Sequence, residues 1–144
     1  MKWLRVSVSL VVLLSLAACG GEGDGGPAPQ PTAAERPTST GEIAIVEPKP
    51  GATVDADDVT VRLDLTGATV VEEVSQNLEP DKGHIHLVLD GQTLTLLGSL
   101  EESLNEFTEG PLEPGPHLLE AEFVAADHGP FSPRVISTVS FTAR

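Results

Sequence analysis

The chain has 144 residues, enough for one ordinary domain and not for two. It carries 8 Lys and Arg against 22 Asp and Glu, with four Phe, one Trp and no Tyr. That leaves neither the basic face nor the stacking aromatics of a nucleic-acid binder. A single Cys cannot supply a disulfide framework.

Lys2 and Arg5 form a short positive region ahead of residues 6–16, which are apolar apart from Ser7, Ser9 and Ser15. About 11 residues are too few to span a bilayer and suit the apolar core of a signal peptide. The run ends in Leu16-Ala17-Ala18-Cys19, which resembles the lipobox of bacterial lipoproteins. That resemblance implies a signal peptide over 1–18 and acylation of Cys19, palmitate being one such chain. It also implies an extracytoplasmic anchor in the cell membrane or the outer membrane. Two or more acyl chains hold a protein on a bilayer where one does not. The other reading is an ordinary secretory signal with a Cys after its cleavage site. Loss of Lys2 and Arg5 with the signal turns the net charge of −14 into −16.

Residues 20–41 contain no Val, Ile, Leu or aromatic side chain and are rich in Gly and Pro. Such a stretch cannot bury enough apolar surface to order itself. Residues 19–41 are therefore expected to be a lipidated flexible tether, holding a domain over 42–144 about 25 Å from the membrane.

From Glu42 onward, short apolar alternations separated by turn residues predict strands. Residues 43–46 run into Pro48 and Pro50-Gly51. Residues 59–65 alternate strictly, with Val59, Val61, Leu63 and Leu65 on one face, and 69–74 form a weaker strand. Residues 84–89, Asp90-Gly91 and residues 92–97 read as a hairpin, because a type I′ turn needs positive φ at both central positions. Residues 99–108 read either as one helical turn opened by Ser99 and Glu102 or as a strand over 104–108. Residues 117–126 place Leu119, Ala121, Phe123 and Ala125 on one face, and 135–142 close the domain. Seven or eight short strands in about 100 residues predict an all-β, antiparallel sandwich.

The opening Ile45-x-x-Pro48-x-x-Gly51-Ala52-x-Val54 and the strand order resemble bacterial immunoglobulin-like domains of envelope proteins. Three segments carry a closer likeness: Gly83-His84-Ile85-His86-Leu87, Leu112-x-Pro114-Gly115-x-His117-x-Leu119, and Ala126-Asp127-His128-x-Pro130. Together they resemble uncharacterised envelope proteins bearing a G-H-x-H-L segment, often with a third His where this chain has Ile85. The resemblance implies a fold and no activity.

All four histidines lie in those segments. In an immunoglobulin-like order the strands at 84–89 and 117–126 are antiparallel neighbours, so His84 and His86 share an end with His128 while His117 lies at the other. The core parity of Ile85, Leu87 and Leu89 sends His84 and His86 to the outer face, and the parity of 119–125 sends Glu120, Glu122 and His128 there too. Two imidazoles about 6–7 Å apart along a strand can ligate Cu²⁺ or Zn²⁺, with His128 or Asp127 completing the set and Asp81 nearby. An H-x-H pair on a strand more often makes local structural hydrogen bonds, and a partner-binding role is a third reading, so the spacing permits a metal without establishing one. His117, just after Pro114-Gly115, takes the place where sandwich domains set a Tyr that bonds back to the preceding loop.

No Ser stands in a G-x-S-x-G elbow, and the adjacent pairs Glu72-Glu73 and Glu101-Glu102 point to different faces. No Gly-rich loop opens a helix after a strand. The sequence therefore predicts a non-catalytic, membrane-anchored binding or scaffold module that recruits another envelope protein. The alternative is an extracytoplasmic Cu²⁺ or Zn²⁺ binder using His84, His86 and His128.

Overall fold

The computed structural model describes residues 35–97 and 99–144; the expected signal peptide, Cys19 and most of the expected tether lie outside them. Nine strands run through the described residues: β1 (Glu42–Glu47), β2 (Thr53–Val54), β3 (Thr60–Thr66), β4 (Thr69–Val70), β5 (Lys82–Leu89), β6 (Gln92–Leu97), β7 (Glu101–Ser103), β8 (Gly115–Ala125) and β9 (Pro130–Ala143). They form two sheets. One has the order β1-β3-β7; the other runs β2-β9-β8-β5-β4, with β6 also paired to β5. β2 lies parallel to β9 and β4 parallel to β5, two residues each, and the remaining pairs are antiparallel.

The alternation read from the sequence builds the core. Ile43, Val59, Val61 and Leu63 come from the first sheet and its approach. Ile85, Leu87, Leu119, Ala121, Phe123 and Phe141 come from the second, and all lie in one buried cluster. Successive side chains point to opposite faces, so one face of each sheet closes on the other. The chain is thus an all-β sandwich with β5 and β8 central in its larger sheet, as an immunoglobulin-like order requires.

Three expectations change. The described residues hold nine strands instead of seven or eight, because β2 is a two-residue pairing too short to show a period and β7 stands where no strand was expected, while the strand expected over 69–74 shortens to Thr69–Val70. Residues 99–108 hold both readings in the reverse order: a strand at Glu101–Ser103, then a single 3-10 turn at Leu104–Glu106 that inserts Leu104 fully into the core. The ordered domain also begins before Glu42. The Ser132 N–H donates to the Pro37 carbonyl at 2.9 Å, and Arg36, Ser39 and Thr40 bond to side chains of the domain.

Candidate ligand site at the histidine end

The site is built where the start of β5 meets the end of β8. Their register sets Gly83 opposite Ala125, His84 opposite Val124 and His86 opposite Glu122. Gly83 has no room for a side chain: a Cβ there would be driven into the carbonyl of Val124. A residue without Cβ lets the two backbones close at this point.

β8 returns into β9 through a tight loop. The His128 N–H donates to the Ala125 carbonyl at 2.8 Å and the Ala125 N–H to the Gly129 carbonyl at 2.9 Å. This is a three-residue hairpin connection whose last position is left-handed, a place usually given to Gly. Here it is His128, at φ +66°. His visits that region more readily than most side chains, at a cost that Gly would not bear.

The loop folds the His128 ring back over β5. It stacks on His84 with ring centroids 4.6 Å apart and planes 9° from parallel. It also lies 5.6 Å from His86, at 20°. His86 Nε2 and His128 Nδ1 are 3.4 Å apart. The His84 Nε2–H donates to the Ala126 carbonyl at 3.3 Å. The three rings therefore share one outer face, as strand parity predicts. His84 is nonetheless only 5% exposed, because a loop residue covers it. Burial pushes the pKa of His86 down, and the neighbouring His128 and His84 rings act the same way against the opposing charge of Glu122. Glu122 itself is held through both carboxylate oxygens by Arg134, at 2.7 and 2.6 Å. Among the described residues, no buried side-chain nitrogen or oxygen lacks a partner.

Asp127 does not join the histidines as a ligand. Its two oxygens accept from both terminal nitrogens of Arg36, at 2.7 and 2.8 Å, and one of them also accepts the Gly129 N–H. The Arg36 bond is the chief reason the Asp127 carboxyl sits far below the usual range. Arg36 Nε–H further donates to the Pro130 carbonyl at 2.8 Å, so the guanidinium spans the loop that carries His128. Asp81 is likewise engaged elsewhere, accepting from Ser39 Oγ–H at 2.8 Å and the Thr40 N–H at 2.6 Å. Composition hides these contacts. The signal that could have found them is a lone cation, Arg36, in a Pro- and Thr-rich stretch beside an acidic domain.

His117 lies at the far end of β8 and is built differently. Its Nδ1–H donates to Asp90 Oδ2 and its Nε2–H to the Glu113 carbonyl, each at 2.7 Å. Both partners are acceptors, so the ring carries both protons and a positive charge. Burial opposes that charge, but the Asp90 and Glu113 bonds outweigh it and raise the pKa. The bond to Glu113 is the return to the preceding loop expected of a corner residue. Asp90, with Gly91, forms the turn between β5 and β6 at φ +51° and +85°.

Among the described residues, no group of three or more His, Cys, Asp or Glu side chains is arranged to hold a metal ion. None of their helices is long and apolar enough to cross a membrane. No family model matches the chain, and no curated protein matches it. A crystal structure of an engineered protein is similar at 17% identity, over 72% of this chain and 20% of that one, with a TM-score of 0.44.

Proposed function

We propose that this chain is a non-catalytic binding module of a bacterial cell envelope. Acyl chains on Cys19 carry it on the extracytoplasmic side of a membrane, and it recruits another envelope protein through the histidine end of the sandwich. The observation supporting this reading is His128 at φ +66°. The loop would fold with less strain around Gly, yet it holds a bulky ring over two other imidazoles on an outer face. Strain of about 1–3 kcal/mol at such a position gathers where a site is used. The tetrapeptide ending at Cys19 supports the anchor.

Two measurements test the reading. Labelled palmitate should enter the wild-type chain and not Cys19→Ser, and the variant should leave the membrane fraction. A photo-crosslinking residue at exposed Pro130, beside the histidine loop, should capture an envelope protein in cells. The same residue at exposed Glu113, beside His117, should not. Equal capture at both ends, or none at Pro130, would sink the proposal.

A further inference from the structure

We propose that His86 Nε2 and His128 Nδ1 form an open two-imidazole site for a divalent transition metal ion, Cu²⁺ or Zn²⁺. His84 serves there as the ring that holds His128 in place. The inference concerns the same end of the molecule as the recruitment reading but does not depend on a protein partner.

The distance carries the argument. Two nitrogens bound to one tetrahedral Zn²⁺ at 2.0–2.1 Å lie about 3.3–3.4 Å apart. The two histidine nitrogens stand 3.4 Å apart. They come from different elements, one from β5 and one from the β8–β9 loop, so the fold itself sets the spacing. Imidazole is a favoured ligand for both ions, and Cu²⁺ is held more tightly than Zn²⁺ by a given set.

The protons balance. With both rings neutral, one N–H lies between the two nitrogens. For an ion to bind, that ring gives the proton to solvent and takes one at its other nitrogen. Both facing lone pairs are then free, and the pair's net charge is unchanged.

The neighbours define what else touches the ion. His84 uses Nε2–H on the Ala126 carbonyl and lies flat against His128, which suits a positioning role. The carboxylates of Glu122 and Asp127 are each held through both oxygens by Arg134 and Arg36. Water therefore completes the coordination sphere, on rings that remain partly exposed. Arg36 bridges Asp127 and Pro130 on either side of His128, so the ligand loop is restrained before any ion arrives. Removing an outer-shell group outright typically changes affinity by about 10–100-fold, so the test exchanges His84 for another flat ring that keeps its packing on His128.

The full chain, without a histidine tag, is titrated calorimetrically with CuCl₂ and with ZnSO₄, and the Cu²⁺ complex is read by electron paramagnetic resonance. The expected result is one ion per chain, Cu²⁺ tighter than Zn²⁺, with two coordinated nitrogens. His86→Asn and His128→Gly should each weaken Cu²⁺ by at least about tenfold, and His84→Phe, which keeps a flat ring, by less than about threefold. His128→Gly is the decisive variant, because Gly accepts φ +66° without strain and a melting curve will show the fold intact. Absence of saturable binding overturns the proposal, as does unchanged affinity in His128→Gly. A loss in His84→Phe as large as in His86→Asn overturns the two-ring assignment. Crosslinking from Pro130 that persists without metal binding leaves recruitment standing and removes the ion alone.

Discussion

At one end of β8 a single imidazole, His117, donates from both nitrogens to Asp90 and Glu113 and is held charged. At the other end His86 is pushed toward the neutral form, one of its nitrogens facing a nitrogen of His128. The first arrangement has a partner for every proton and fastens two turns together. The second gathers three rings on an outer face, with a left-handed backbone at the residue that covers them. A side chain the fold depends on and a side chain the fold merely tolerates can be the same amino acid. Stability measurements separate the two.

The largest effect is expected at Gly83. Gly83→Ala drives a Cβ into the Val124 carbonyl and parts β5 from β8. The expected loss is about 3 kcal/mol or more in urea unfolding. A loss under about 1 kcal/mol would mean that the close approach does not hold the histidine end together.

At the corner, His117→Gln keeps one donor nitrogen, puts an acceptor oxygen in place of the other and carries no charge. It should cost about 1–3 kcal/mol, since Asp90 or Glu113 loses its partner. The variant should also lose a pH dependence. The His117 pKa is raised above 6.5, so its contribution is whole below that pH and is lost as pH rises through the folded-state pKa. The gap between wild type and His117→Gln should therefore narrow as pH rises above about 6.5. A gap that widens over that range reverses the assignment of charge.

Arg36→Ala removes a bidentate, partly exposed ion pair and should cost about 1 kcal/mol. Amide exchange should quicken at Gly129 and Ser132, while the corner around His117 stays unchanged. The smallest effect belongs to His128→Gly, between no change and a gain of about 1 kcal/mol, as relief of backbone strain offsets the lost stack over His84. A loss as large as that in His117→Gln would show both ends to be equally structural and would remove the contrast.

The strands that build the core are legible because their period of two is unbroken. Ile85, Leu87 and Leu89, then Leu119, Ala121 and Phe123, identify the inward face and so the outward placing of His86 and Glu122. Burial of His84 is not legible, since alternation gives a direction and not what a distant loop lays on top. Ala126-Asp127-His128-Gly129 offers a Gly for the left-handed position, but the chain uses the residue before it. The docked segment from Arg36 to Thr40 is hidden for a different reason. Its order comes from an ion pair across 91 positions and from backbone bonds, and a reading based on apolar content is blind to both.

That docking has a mechanical side. A force applied at Arg36 and Pro37 passes to Asp127, Pro130 and Ser132, which they grip. These are the residues on either side of His128. Load would thus arrive at the histidine loop and the first residues of β9 together, while the His117 corner lies at the far end of β8.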